Sequence, residues 1–530
     1  MNTEILHFHL FGGIGGGAIG FNQGEARVGT VEGKFRCLGG IDVVPDVVKD
    51  FTDQVGVNGT VLDLFDRQQY IDWHGKEPGP EWKEATPADI QKAAGNESPN
   101  IVFTSPPCKG FSGLLSQKKS ESVKYRALNR LTLRGIWLSL EAWKDDLPEF
   151  FLLENVPRIE NRGEELLIQI ERLLEQYGYA TARTTHDCGE IGGLAQSRRR
   201  FLLVARQQEK VPNFLYEPVT RPLLSVGSVL EKLPMPGDIE TAGEMHAIPK
   251  LQWKTWVRLA FVEAGKDWRS LKDLRVENGH LTDFTIVPEN YGYADALGVC
   301  SWDSNTGAVT GRSGPTNGRF AVPDPRFSGY EFSQYGVYKW SDSTGVVTGQ
   351  KSPGQGKFSV ADPRPGLNPD RVNYQTGGHY GVVDWSAPAG SVTGRASYDK
   401  GRWSVADPNL IEGDSSNGLP AGDQSMVAMI RALDDTWHRP FTTYELAALQ
   451  GLIDPDEPQL VLTGKSHSQW RERIGNMVPP PAAKAIASVI GQTILLARSG
   501  ETFVLGQTPI WVRPIAIAST IQTPEIYRDL

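Results

Sequence analysis

Residues 5–17 read Ile-Leu-His-Phe-His-Leu-Phe-Gly-Gly-Ile-Gly-Gly-Gly, and Ala18, Ile19, Gly20 and Phe21 follow. A short apolar run suited to a buried strand thus gives way to a glycine turn and then to helical spacing. Such a turn lets backbone approach a ligand closely and aims the first amides of a helix at it. The next stretch repeats the order. Arg36 to Asp42 reads as a strand, and Val43 to Phe51, with Pro45 near its first turn, reads as a helix. Asp42 then stands where an acid accepting from two ribose hydroxyls would stand. Further apolar runs at 101–104, 150–153 and 201–205 complete an alternation of strands and helices. The alternation predicts an α/β fold with a parallel, doubly wound sheet whose ligands lie at the carboxyl ends of the strands.

The composition fits a globular protein of two or three domains. The chain has 530 residues, 39% hydrophobic and 22% charged, with 54 Lys+Arg against 63 Asp+Glu and a net charge of -9. That balance argues against coating nucleic acid by bulk positive charge, but leaves room for a local basic groove. Gly and Pro together make 92 residues, about 17% against a usual share of about 12%, and the excess is expected in loops. Cys37, Cys108, Cys188 and Cys300 form no close pair, so neither a zinc site nor a disulfide scaffold is indicated. The start lacks the features of a signal peptide, and no apolar run of about 18 residues is read, so the expectation is a reduced, cytoplasmic protein without a membrane span.

Candidate chemistry sits just after the apolar runs. Ser105-Pro-Pro-Cys108-Lys-Gly-Phe-Ser112 presents a cysteine between a rigid Pro-Pro and a glycine-containing turn, with Lys109 beside it. Glu154 directly follows the run at 150–153, where a carboxylate is costly unless it binds something. A partly desolvated Glu is suited to hydrogen-bonding or protonating a ring nitrogen. Gln196-Ser-Arg198-Arg-Arg200 leads into the run at 201–205, and in extended chain Arg198 and Arg200 share a face, so two guanidiniums could clamp one anionic or carbonyl-bearing group. Asp63 could accept from an adenine amino group.

Taken together these segments resemble the cytosine-C5 DNA methyltransferase family. Phe11-Gly-Gly-Ile14-Gly15-Gly16 is similar to its donor-binding turn, Pro107-Cys108 to its nucleophile loop, Glu154-Asn-Val156 to its Glu-Asn-Val, and Gln196-x-Arg198-x-Arg200 to its Gln-x-Arg-x-Arg. Arg439 to Gly451 resembles the segment closing the recognition domain, and Gly475-Asn476-Met-Val478-Pro-Pro480 the return to the catalytic domain. The six motifs occur in order across about residues 5–495. The resemblance implies a Rossmann-like catalytic domain over 1–206 that uses S-adenosylmethionine (SAM). A smaller β-rich target-recognition domain is inserted over 207–438. A closing segment occupies 439–500, and the tail, 501–530, carries little signal.

The resemblance also implies a mechanism. Cytosine is flipped out of duplex DNA, because its ring is unreachable while stacked. The Cys108 thiolate attacks C6, Glu154 holds or protonates N3, Arg198 and Arg200 orient the base, and no metal takes part. Donor-binding roles fall on Phe11, Gly13, Ile14, Gly15, Gly16, Asp42, Asp63, Pro107, Asn476 and Val478, and DNA contacts on Lys109, Ser112 and Gln196. This sequence departs from the family at His9, where an Asp is usual and to which no role is given, and at Val61-Leu-Asp63-Leu, where Gly-Asp-Ile is usual. It departs again at Lys109, where Gln is usual. Lys109 adds a phosphate contact, lowers the thiol pKa, or meets a donor or base carrying negative charge, such as a carboxylated SAM.

Residues 291–408 contain three copies of one unit. The landmarks Trp302, Thr310 and Asp324 recur 38 residues later at Trp340, Thr348 and Asp362, and 45 later again at Trp385, Thr393 and Asp407. Each copy reads as a Trp/Tyr-rich strand, a Val-Thr strand, a glycine-rich loop and a return strand. The loops carry Arg312 and Arg319, then Lys351 and Lys357, then Arg395, Lys400 and Arg402, against Asp399 alone. Such loops suit DNA phosphates or a groove. A monomer of bacterial or phage origin acting on double-stranded DNA, with a restriction endonuclease as a further partner, is the expectation. An RNA cytosine methyltransferase, or a non-catalytic DNA-binding protein on the same scaffold, are the alternatives.

Overall fold

The computed structural model describes residues 2–107, 122–213, 215–261, 423–428, 437–453 and 460–500. It also describes the short strands 276–277, 280–281, 336–338, 357–361, 382–383, 404–405, 430–431 and 510–512. Contacts divide the chain into two units. One comprises 1–193, 199–222 and 477–530, and the other comprises 194–198 and 223–476. These boundaries differ from the divisions at 207, 439 and 501 expected from the sequence.

The first unit opens with β1 (Asn2–Leu10), α1 (Gly16–Asn22), β2 (Ala26–Val28), β3 (Val31–Asp42), α2 (Pro45–Val55), β4 (Gly59–Val61), α3 (Arg67–His74) and α4 (Pro87–Ala93). It continues with β5 (Ile101–Thr104), α5 (Val123–Ala142), β6 (Phe150–Asn155), α6 (Ile159–Arg162), α7 (Glu164–Gln176), β7 (Tyr179–Asp187), α8 (Cys188–Gly192), β8 (Arg199–Gln207) and β9 (Leu215–Tyr216). The eight-stranded sheet has the order β2-β3-β1-β5-β6-β8-β7, with β4 also paired to β3. Strands β4, β3, β1, β5 and β6 are parallel, as expected from the alternation. The expectation of a wholly parallel sheet needs correction, since β8 runs antiparallel to both β6 and β7. Only residues 188–198 link β7 to β8, too few for the crossover that a parallel neighbour requires.

Alternation along β1 supplies two cores. Phe8 and Leu10 join the cluster under α4, α5 and α7, while Ile5 joins the one formed with α14 (Pro480–Ser499). Between these core residues, His7 and His9 are fully buried and neutral. Desolvation pushes His7 down to about 3 and His9 well below its usual value. The stretch 467–499 is long and apolar enough to cross a bilayer by length and composition, which the sequence reading had not found. Within it, α14 turns Ala483, Ile486, Ile490 and Ile494 into the second core. Gly16 and Gly20 let α1 lie directly on the start of that helix. A Cβ at Gly16 would stand 2.5 Å from Val478 O, and one at Gly20 2.2 Å from Pro480 O. The tail supplies one further strand, Ile510–Val512, antiparallel to β9.

The second unit contains α9 (Val226–Leu230), α10 (Ile239–Ala242), α11 (Trp253–Ala260), α12 (Thr443–Leu449) and α13 (His467–Asn476). Thr442 caps α12 and Glu445 returns the bond, closing a capping box. The repeats show one regularity. In the second copy Val337 pairs with Ser359 and Tyr338 with Val360, and in the third Val382 pairs with Ser404 and Val383 with Val405, both in parallel. These are equivalent positions 45 residues apart. Residues 339–356 and 384–403, which join the paired strands, are long enough for the crossover that parallel pairing demands. The first copy and the Val-Thr stretches lie outside the described residues.

Gly20→Ala should lower stability by about 1–3 kcal/mol, because the added methyl meets backbone that cannot move aside. Gly79→Ala, whose Cβ meets open space, should stay within about 0.5 kcal/mol. Urea midpoints of the two variants check the pair.

Candidate active site

The carboxyl ends of four neighbouring strands carry the residues singled out above. Leu10 pairs with Ile41 and with Thr104, and Thr104 pairs with Leu153. Phe11, Asp42, Ser105 and Glu154 therefore emerge along one edge of the sheet.

At the glycine turn, Phe11 adopts a φ of 54°, a left-handed conformation uncommon for an aromatic residue. Gly12 N donates to Ile41 O at 2.9 Å and Gly15 N to Gly12 O at 3.1 Å. The glycines differ in purpose. A Cβ on Gly15 would stand 2.3 Å from Val55 Cγ2, so Gly15 serves packing, whereas Gly13, with φ 55°, faces open space. Gly13 is where a ligand can approach backbone. Ile14 and Gly16 are buried, so Ile14 offers a ligand no side-chain surface.

Asp42 accepts from Gly13 N at 3.3 Å and Val44 N at 3.2 Å. Burial raises its pKa, against the opposing pull of those amides. Val43, Val44 and Val61 are 55, 44 and 51% exposed, and Val61 pairs in register with Asp42. An acid beside an exposed apolar shelf and an open glycine fits a nucleoside-bearing donor such as SAM. Asp63 is already engaged, accepting from Phe65 N and from Trp82 Nε1, each at 3.0 Å. Val478 is buried in the first unit, and Asn476 is exposed at the end of α13 in the second.

Ser105 Oγ donates to Phe11 O at 3.3 Å, tying the end of β5 to the glycine turn. Pro106 is buried and Pro107 exposed, so the chain leaves the sheet there toward Cys108. Cys108, Lys109 and Ser112 lie outside the described residues, as do Arg312, Arg319, Lys351, Arg395, Lys400 and Arg402. Lys357 opens the strand 357–361.

Glu154 and Arg200 form a buried ion pair. Arg200 Nε lies 2.8 Å from Glu154 Oε1, with the side chains 6% and 10% exposed. The contact is an ion pair by distance, yet Oε1 accepts no aligned hydrogen bond. Arg200 Nη1 donates to Arg199 O at 2.9 Å. His186, opposite Arg200 in the β7–β8 register, was missed by the sequence reading. Burial, reinforced by the Arg200 charge, pushes His186 down to about 4. It therefore stays neutral and adds no like charge beside the guanidinium. The one available signal was the β-branched Thr181, Thr184 and Thr185.

Among the described residues the two arginines bond different groups. Arg198 is buried in the second unit, its Nη1 donating to Gln450 Oε1 and Gly475 O, both at 3.0 Å. Gln196, read as a DNA contact, is wholly buried, and neither of its amide atoms has a hydrogen-bond partner among the described residues. Among the described residues, then, the Arg200 guanidinium stands on Glu154 and the Arg198 guanidinium holds Gln450 and Gly475.

A double-mutant cycle checks the buried pair. Glu154→Gln and Arg200→Met should each destabilise, since each leaves a buried charge without its partner. The double variant should recover about 1–3 kcal/mol of the summed loss in urea melts; simple additivity would show that the pair is not formed. The pH dependence has a fixed sign as well. His7, His186 and His467 are held near 3, 4 and 4 in the folded chain. Unfolded chain binds protons there from about pH 6.5 downward. Stability should fall as pH drops from about 6.5 toward 4, read as a declining urea midpoint.

Residues 79–262 match the family described as C-5 cytosine-specific DNA methylase. No curated protein matches the chain. Among solved structures, an Entamoeba histolytica methyltransferase, EhMeth, is 12% identical with a TM-score of 0.45, the match covering 94% of this chain and 99% of that one. A candidate DNA modification methyltransferase encoded within an E. coli prophage is 14% identical with a TM-score of 0.44, over 93% and 99%. The S. pombe Dnmt2 methyltransferase is 12% identical with a TM-score of 0.37, over 94% and 99%. The matched span holds β5, β6 and β8 with Cys108, Glu154, Arg198 and Arg200, so over residues 79–262 the chain is similar to a C-5 cytosine-specific DNA methylase domain.

Proposed function

We propose that the protein is a SAM-dependent methyltransferase acting on C5 of cytosine in duplex DNA through a covalent adduct on Cys108. The observation that carries this reading is the buried Glu154–Arg200 pair. It lies at the end of β6, next to the strand whose end leads through Pro107 to the cysteine. A carboxyl and a guanidinium, fixed together and shielded from water, match the N3–C2=O2 edge of cytosine: one group for N3, the other for the neighbouring carbonyl.

Bound SAM would supply an electrophilic methyl group. Gly13, Asp42 and the Val43–Val44 shelf would hold it. Cys108 Sγ attacks C6 of the extruded base, which raises electron density at C5. Glu154 takes up a proton from solvent as the base enters and passes it to N3 as charge develops, and Arg200 holds Glu154 and meets the carbonyl. Loss of the C5 proton to water, followed by departure of Cys108, restores the ring and the free thiolate. Arg198 acts at a distance, fixing the loop ends at Gln450 and Gly475. The basic loops of the repeats supply phosphate contacts.

Incubation with labelled SAM and either duplex DNA or tRNA should label cytosine C5 in DNA. Label confined to RNA would replace the DNA reading, and label in neither would remove the activity. Glu154→Gln should lower kcat by at least about 100-fold. Replacing Arg312, Lys351 and Arg395 together with Ala should flatten the salt dependence of DNA binding by at most about three units of slope; an unchanged slope would return those loops to solvated surface.

A further inference from the structure

We propose that His7, His9 and Cys37 form a buried site for one soft monovalent metal ion, Cu(I), beneath the glycine turn. The three side chains are 0, 2 and 3% exposed, and their donor atoms all lie within 4.8 Å of one another. Ligand atoms around a small ion sit about 3.5–4 Å apart, given metal–nitrogen and metal–sulfur bonds of about 2.0 and 2.3 Å. His7 Nδ1 already faces His9 Nε2 at 2.9 Å, so a small spreading admits the ion.

The neighbouring hydrogen bonds fix which nitrogen is free. Asn22 Oδ1 accepts from Cys37 N at 3.0 Å, which identifies that atom as the oxygen. The same oxygen lies 3.0 Å from His7 Nε2, so Nε2 carries the hydrogen and Nδ1 presents its lone pair toward His9. A carbonyl that orients the far nitrogen of a histidine is the usual support of a metal ligand. Asn22 ends α1, so the arrangement ties that helix to β1 and β3.

Charge and softness select the ion. Two imidazoles and a thiolate suit Cu(I) or Zn(II). When Cu(I) binds, the S–H bond of Cys37 breaks, a Cu–S bond forms, and the proton leaves to solvent, while the His9 hydrogen moves from Nε2 to Nδ1. One positive charge replaces one proton and the site stays neutral. A divalent ion would leave a net charge among Phe21, Phe35 and Phe103, whose ring centroids lie 5.4–6.5 Å from the imidazoles. That is a costly burial. His9 Nδ1 lies under Gly17, 3.6 Å from where a Cβ would stand, in the first turn of α1.

The test is an anaerobic titration of the reduced full-length chain with Cu(I) against a chromophoric Cu(I) chelator. The site predicts withdrawal of one equivalent, a Tm higher by several degrees, and a copper X-ray absorption spectrum with one sulfur and two nitrogens. Cys37→Ser and His9→Gln should lose that equivalent, while Cys188→Ser keeps it. Failure of the folded wild type to withdraw Cu(I), retention of the equivalent by Cys37→Ser, or a shell of sulfurs alone would overturn the proposal. Should both substitutions prevent folding, the wild-type absorption spectrum decides alone. Stoichiometric Zn(II) binding at these residues in place of Cu(I) would overturn the monovalent assignment.

Discussion

Arg200 meets Glu154 because β8 runs against β6. In a parallel sheet the chain would enter β8 at the opposite edge, and Arg200, at its start, would lie at the amino ends, far from a residue at the carboxyl end of β6. Reversal places the first residues of β8 beside the last residues of β6, so Glu154 faces Leu202 and Arg200 falls one pleat further along on the same face. The short link between β7 and β8 enforces that reversal. The same geometry sets His186 of β7 opposite Arg200, giving three adjacent strands one polar row at the edge where the glycine turn also opens.

A buried carboxylate and guanidinium are poor investments in stability for their own sake. Apolar residues of similar volume would often do as well or better. Their retention at a strand end, beside the exit toward Cys108, is understandable as chemistry that needs a preorganised charge in a dry place. His186 conforms to this logic: its neutrality keeps a second cation away from Arg200.

The parts of the fold set by apolar runs were legible. β1, β3, β5, β6 and β8 were each readable as strands because their side chains are buried. The glycine turn was readable because a left-handed backbone favours glycine at 13 and 15. β7 was not, because Thr, Ala and Arg at a partly exposed edge have no apolar signature. Its absence from the reading concealed the reversal. Motif order named Glu154, Arg198 and Arg200, but the separate bonds of the two arginines were not legible, since β8 begins only at Arg199. His9 looked like a lone departure from a motif. Only the pairing of β1 with β3, which sets His7 opposite Cys37, revealed it as part of a cluster. Trp82, which engages Asp63, is likewise invisible from spacing, as a loop brings it back across the fold.

The central claim is that Cys108 attacks the cytosine ring at the strand-end site that Glu154 and Arg200 define. Mass spectrometry of the protein incubated with SAM and a duplex carrying 5-fluorocytosine tests it most directly, because fluorine at C5 blocks release of the adduct. The account predicts a stable protein–DNA adduct on the peptide containing Cys108, absent in Cys108→Ala. An adduct that persists in Cys108→Ala, or one mapped to Cys37, Cys188 or Cys300, would contradict it.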